Sequence, residues 1–315
     1  MLVKICYVLL LHHKFEQAAR LIRRLSAPGT GFVLHVDRGA ERVALERFRG
    51  QLQGLEGIVY AERVRARWGS YAQALAIMRS VEAAVRRPER YDRYVLLSGQ
   101  DYPLVCSARI AQFFRSNLDS EYIEAYPLSL TEQSVPGWGA WTPYYRFRRY
   151  HVFLGRRHRA LPWLRRGPPP QVIHHGSTWW ALTRPAMEFI AQQFHSNRRL
   201  RRYLRTGFLV DEVYVPTLLM GSAFAPRVSG HNLTHAEWTP TSGPHPKTLG
   251  LQDLPALRAS GKLFARKFDE SQDAAVLNEL DRISAEECVP TPEALREQRH
   301  EQQRGDSHQE RQQAL

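Results

Sequence analysis

The N-terminal third of the chain alternates between two hydrophobic patterns. At residues 3–11, 32–36, 58–60 and 94–97 nearly every position is apolar, which predicts buried strands. Between these runs, apolar residues recur three and four apart. Ala18, Leu21, Ile22 and Leu25 share one face of a helix predicted over residues 15–25, ended by Pro28-Gly29. Further helices are predicted over 40–52, from an N-cap at Ser70 to Val85, and over 108–114. Strands that are apolar throughout, separated by helices, predict an α/β fold with a mostly parallel central sheet covered on both faces.

The pattern fails between about residues 121 and 170. Glu124, Tyr126, Trp138, Trp141, Tyr144, Tyr145 and Tyr150 mix there with prolines and the basic run Arg146-Phe147-Arg148-Arg149. A long aromatic loop is expected, of the kind that carries function, with an exposed bend at 165–170. Regularity returns with a strand at 178–183 and helices at 185–194 and 211–219. Residues 289–315 hold almost no large apolar side chain and are expected to be a disordered polar tail. The reading is one domain over 1–288 and a tail over 289–315.

Two strands end on acids. The run Val95-Leu96-Leu97-Ser98-Gly99-Gln100-Asp101-Tyr102-Pro103 stops at a tight turn presenting Asp101, and His35-Val36-Asp37 ends the second strand. Open α/β sheets bind ligands just beyond the carboxyl ends of their strands. Asp101 therefore has two readings: a ligand contact, or a carboxylate that ties down its own turn or caps the next helix. Asp211-Glu212 also has two, since acids favour a helix N-terminus and a positioned carboxylate serves as a general base.

Composition narrows the class. The chain of 315 residues carries 44 Lys and Arg against 31 Asp and Glu, a formal charge of +13. That balance reflects either solvated arginine faces or an anionic partner: nucleic acid, an acidic membrane or a phosphorylated substrate. No helix-turn-helix, RNA-recognition or zinc-finger pattern is present, which argues against a nucleic-acid reader. The absence of G-x-G-x-x-G after the first strand, and of G-x-x-x-x-G-K-[ST], argues against a Rossmann dehydrogenase or P-loop NTPase. Cys6, Cys106 and Cys288 are odd in number and far apart, so a disulfide framework or zinc site is not expected and a reducing compartment is. The apolar start is shorter than the ~20 residues a bilayer span needs, and a cytoplasmic chain is expected. His231 and His235 lie four apart in a segment with little helical character, a weak metal pattern. The chain contains no Asp-x-Asp, a pair that many nucleotide-sugar transferases use to hold a divalent cation on the diphosphate.

Eight segments, in order, resemble the core 2/I-branching N-acetylglucosaminyltransferase and peptide O-xylosyltransferase family (glycosyltransferase family 14) over roughly residues 3–285. They are His35-Val36-Asp37; Arg67-Trp68-Gly69; Leu97 to Pro103; His175 to Arg184; Asp211-Glu212; Asn232-Leu233 leading to Trp238; His245-Pro246-Lys247; and Phe264 to Asp269. The resemblance implies a GT-A fold and inverting transfer from a UDP-sugar, with no catalytic metal and no resident cofactor. It implies Glu212 as general base and Asp37 on the uridine. Arg266 or Lys267, and Lys247, are implied on the diphosphate, where cations replace the metal. It places Gly176 and Ser177 at the donor sugar and leaves Asp101 as a donor contact. Glu124 and Trp238 match acceptor-binding positions. Trp138 and Tyr145 join them from the aromatic loop.

Animal xylosyltransferases carry an acid after Gly-Ser, where this chain has Thr178. That departure favours UDP-N-acetylglucosamine over UDP-xylose, although Trp179 to Arg184 looks more like the xylosyltransferase version. Expected partners are the UDP-sugar and a glycan or lipid-linked glycan acceptor, with no nucleic acid. Peripheral contact at the inner membrane face through the basic loop is expected. The rival reading outside this class is a basic nucleic-acid-binding protein without enzymatic activity.

Overall fold

The computed structural model describes residues 3–130, 142–154, 157–239, 243 and 245–288. Its first hundred residues follow the hydrophobic pattern closely. Strands β1 (Ile5–Leu11), β2 (Thr30–Val36), β3 (Ile58–Tyr60) and β4 (Arg93–Ser98) alternate with helices α1 (Phe15–Leu25), α2 (Arg42–Gln51) and α3 (Tyr71–Val85). The Ser70 hydroxyl accepts from the amide of Ala72 at 3.2 Å and caps α3. β1 pairs in parallel with both β2 and β4, and β2 with β3. A fifth strand, antiparallel to β4, closes one edge.

Both faces of this sheet are buried, which is why its strands lack alternation. Ile5, Tyr7, Leu9 and Leu11 of β1 enter one core with α1 and α2, while Cys6 and Val8 enter the other with α3. The α/β class with a mainly parallel central sheet is therefore as expected.

Beyond β4 the chain is less regular. β5 (Asp101–Pro103) and α4 (Ser107–Arg115) come first, then β6 (Tyr126–Pro127). Where it is described, the expected aromatic loop contains regular structure. Its described part holds α5 (Pro143–Arg148) and a hairpin of β7 (Arg149–Leu154) and β8 (Arg157–Arg165). Next come β9 (His174–His175) and the edge strand β10 (Ala181–Thr183), shorter than expected. Then follow α6 (Arg184–Ser196), α7 (Arg198–Leu204) and α8 (Tyr214–Met220). Asp211 and Glu212 sit in a separate single turn, Val210–Glu212, ahead of α8 and not inside it. The chain closes with β11 (Thr234–Ala236), α9 (Leu254–Ala259), β12 (Phe264–Arg266) and α10 (Ala274–Glu287). β11, β12 and β5 form a small second sheet beside the end of β4. The expected bend at 165–170 is only partly exposed, since Arg166 is buried with its guanidinium 4.0 Å from the Tyr203 ring centroid. Trp138 and the tail at 289–315 lie outside the described residues.

One expectation is overturned. Cys106, at the start of α4, and Cys288, at the end of α10, form a disulfide with Cα atoms 6.0 Å apart; Cys6 is free and buried. The two cysteines are 182 residues apart in sequence, and α10 is brought to α4 by its contacts with α1 and β5, where Asp281 binds Arg20 and Tyr102 at 2.8 Å each. The cysteine argument for a reducing compartment is thereby withdrawn. Among the described residues, no helix is long and apolar enough to cross a membrane. Peptide mapping without reductant should recover the Cys106–Cys288 link, and reduction should cost about 2–4 kcal/mol of stability. Three free thiols in the denatured, unreduced chain would refute the pairing.

Candidate active site

A cleft of about 1580 Å³ opens over the carboxyl ends of β1, β2 and β4, where the topology places ligands. Asp37, at the end of β2, lines it. Its carboxylate accepts from the amides of Gly39 at 2.6 Å and Ala66 at 2.7 Å, so it braces two loops at the rim. The rings of His12 and His13, at the end of β1, stack with centroids 3.9 Å apart. Burial, reinforced by His13, pushes the His12 imidazole down to about 4, so it is neutral near pH 7.

The small sheet supplies the cations. β12 pairs antiparallel to β5 with Arg266 opposite Asp101. Arg266 Nε meets Asp101 Oδ1 at 3.1 Å, and the guanidinium lies 4.0 Å from the Trp179 ring centroid. Asp101 is fully buried, and it also accepts from the Ser98 amide at 2.7 Å and the Ser98 hydroxyl at 2.9 Å. It ties down its own turn and orients Arg266, and does not line the cleft; the expected direct donor contact is not what the geometry offers. Lys267 follows on the cleft wall. Burial first, then the neighbouring Arg266, lowers its ammonium to about 8. Lys247 is displaced from the expected group: its Nζ binds Asp253 at 2.7 Å and Glu237 at 3.4 Å, and it is not among the residues lining the cleft.

The acids enter from the other wall. Glu212 is held by Arg146, a 2% exposed residue of α5 whose Nη2 donates to Glu212 Oε2 at 2.9 Å. The same guanidinium donates to the carbonyls of Leu209 at 3.0 Å and Phe208 at 3.3 Å. Leu209 adopts a left-handed conformation, φ 54°, that costs a β-carbon-bearing residue about 1–3 kcal/mol. Its amide donates to Gly69 O at 2.7 Å. A third of the Glu212 side chain faces the cleft, but the carboxyl is otherwise enclosed by protein. Burial, with the nearby acids Asp211 and Glu124, pushes it up to about 7 against the pull of Arg146. Asp211 lies beneath it, accepting from Gln73 Nε2 at 2.8 Å and the Thr178 hydroxyl at 2.9 Å.

Gly176 joins the two acidic positions. Its amide donates to Glu212 O at 2.9 Å, and a Cβ there would lie 1.9 Å from Glu124 O. Only glycine permits that approach. Glu124 Oε1 accepts from Asn232 Nδ2 at 2.7 Å and lines the cleft, as do Ser177 and the 62% exposed Trp238. Tyr145 does not line it; its ring packs edge-on against His151. Sequence reasoning missed Arg146 and Gln73 as site residues, and it placed Trp68 and Trp179 within the resembling segments without giving either a role. Arg146 was visible only as part of a basic run, because its partners lie more than sixty residues downstream.

The chain matches the Core-2/I-Branching enzyme family over residues 5–258 and belongs to that glycosyltransferase family. It is 23% identical over 295 residues to a xylosyltransferase of Ciona intestinalis, covering 89% of this chain and 34% of that one. It is 24% identical over 286 residues to the beta-glucuronosyltransferase GlcAT14C of Arabidopsis thaliana, covering 84% and 70%. With human xylosyltransferase 2 the identity is 23%, covering 89% and 33%. The chain thus spans about a third of the length of the xylosyltransferases it matches. Among solved structures it is similar to a 4-diphosphocytidyl-2C-methyl-D-erythritol synthase from Anaerococcus prevotii, with a TM-score of 0.32 and 8% identity, covering 62% and 77%.

Gly176→Ala should lower stability by about 1–3 kcal/mol, because the neighbour it strikes is backbone. Gly50→Ala, in α2 with open space at its Cβ, should be neutral or slightly stabilising. Thermal melts compare the two; equal, unchanged midpoints would show that Gly176 is not a packing constraint.

Proposed function

We propose that the chain transfers a sugar from a UDP-sugar, N-acetylglucosamine by preference, to a saccharide hydroxyl with inversion and without a catalytic metal. One observation carries this reading. A carboxyl with a raised pKa, Glu212, faces the same cleft as two adjacent cations, Arg266 and Lys267. Ionised Glu212 takes the proton of the acceptor hydroxyl while its oxygen attacks the anomeric carbon from the face opposite the nucleotide. The bond to the diphosphate breaks, and the charge gathering on UDP is met by Arg266 and Lys267. Asp101 keeps Arg266 aimed, and Trp179 supports its guanidinium. Asp37 stands at the rim for the uridine, and Gly176 with Ser177 brings backbone close to the donor sugar. Lys247 reaches a phosphate only by leaving its two carboxylates.

Trp238 and Glu124 offer an aromatic face and an acceptor oxygen to a glycan, free or lipid-linked. UDP-xylose is the second reading, favoured by the relatives named xylosyltransferase; Thr178, committed to Asp211, argues the other way. A screen of UDP-sugars, following UDP release, separates them.

Glu212→Gln should reduce turnover by roughly 10²–10⁴-fold while UDP affinity changes little, since the amide cannot take the proton. Because the base must be ionised, the parent rate should rise with pH and level off above about 7. A folded Glu212→Gln protein with parental turnover would refute this assignment. Turnover should also survive excess EDTA within about twofold, since each tenfold loss requires ~1.4 kcal/mol of barrier. Complete loss restored by manganese would contradict the metal-free mechanism.

A further inference from the structure

The charge of the chain is concentrated in one segment. Between Thr142 and Thr206 lie fourteen of its 44 basic residues, all arginine, and one of its 31 acids, Glu188. The other 250 residues hold thirty of each sign, so the whole excess of +13 belongs to this stretch. Glu188 is itself bound to Arg184 at 2.7 Å.

The β7–β8 hairpin lies within that segment and has two unlike faces. Phe153 and His158 line the cleft, and the His158 ring stacks on Phe208 with centroids 4.4 Å apart. The alternate residues Tyr150, Val152 and Leu154 are exposed, Leu154 by 71%. Opposite them in register stand exposed arginines, Arg159 across from Val152 and Arg157 across from Leu154. Nearer the base of the hairpin, Trp163 is 75% exposed. α7 ends beside β7, where the His151 amide donates to Thr206 O at 3.0 Å, and exposes Arg198, Arg199 and Arg202. Beside Phe153 and adjoining the cleft, whose lining shares Arg65 and Arg67, a cavity of about 290 Å³ is lined by Arg65, Arg67, Arg205, Ser70 and Tyr71.

We propose that the outer face of this hairpin docks on a bilayer rich in anionic phospholipid. Aliphatic and aromatic tips set among arginines match the interfacial zone of a membrane. There the apolar ends enter the headgroup boundary and guanidinium groups stay with the phosphates. Tryptophan favours the same depth. Valine and leucine have no ring to stack on a base, so the surface suits lipid better than nucleic acid. The Arg65, Arg67 and Arg205 cavity supplies a second seat for a lipid phosphate. Since Phe153 and His158 of the same hairpin line the cleft, docking sets the cleft mouth at the headgroups. The proposal extends the glycosyl-transfer reading without depending on it, because its test reads binding and not turnover.

The test is co-sedimentation of the full chain with two kinds of vesicle, pure phosphatidylcholine and phosphatidylcholine with roughly one-third phosphatidylglycerol. The protein should pellet only with the anionic vesicles and be released as salt approaches about 0.5 M. Arg157→Ser with Arg159→Ser should weaken binding about 25-fold, about fivefold per arginine. Leu154→Ser with Trp163→Ser should weaken it at unchanged charge, and circular dichroism melts confirm that both variants fold. Failure of the parent chain to pellet at low salt would overturn the proposal, as would variants that pellet like the parent. Retention in the supernatant together with binding to nucleic acid, or self-association lost in the Leu154→Ser/Trp163→Ser variant, would reassign the face.

Discussion

The site depends on one buried guanidinium. Arg146 is 2% exposed, and a cation so enclosed is tolerated only when its donors are satisfied. Its partners are two consecutive carbonyls, Phe208 and Leu209, and the carboxylate of Glu212. Those bonds fix the segment that leads into the Val210–Glu212 turn and hold Leu209 in its left-handed conformation. They also set the acidity of Glu212. Burial and neighbouring acids raise it, and the arginine keeps it from rising further. Without that counter-charge the carboxyl would be a buried neutral acid, unfit to accept a proton near neutrality.

From this contact the rest of the cleft can be traced. α5 carries Arg146 and runs directly into β7, so the hairpin wall and the acid share one support. Gly176 links the Glu212 carbonyl to the Glu124 backbone, tying the acid to the proposed acceptor side. The opposite wall is built on different principles: a cross-strand pair, Asp101 with Arg266, anchored to the end of β4. The two walls meet at Thr178-Trp179, where the Thr178 hydroxyl donates to Asp211 at 2.9 Å and the next residue, Trp179, carries the Arg266 guanidinium 4.0 Å from its ring centroid.

The first hundred residues were legible because burial on both faces makes each strand a solid apolar run. The hairpin was not, because both of its faces carry aromatic or apolar side chains: His151 and Phe153 inward, Tyr150, Val152 and Leu154 outward. Period-two alternation is invisible along β7, where both faces carry such side chains, and in β8 the outer positions opposite Val152 and Leu154 are the arginines Arg159 and Arg157. Strands β5, β11 and β12 are three residues each, too short for any period. Short motifs located Glu212, Arg266 and Lys267 at the cleft, and Asp37, Gly176 and Ser177 with them. They left open how Asp101 is used, and they missed that Lys247 is held by Asp253 and Glu237. Local sequence carries no sign of a partner supplied by a distant segment, which also hid Arg146 and the Cys106–Cys288 link.

The pH–rate profile of Arg146→Met, set against the parent, tests the central claim most directly. Removing the guanidinium takes away the interaction that favours ionised Glu212, so the acidic limb of the profile should move to higher pH than the parent's, expected near 7. Arg146→Lys, which keeps the charge, should move it less. A folded Arg146→Met protein whose limb coincides with the parent's, or moves to lower pH, would contradict the account.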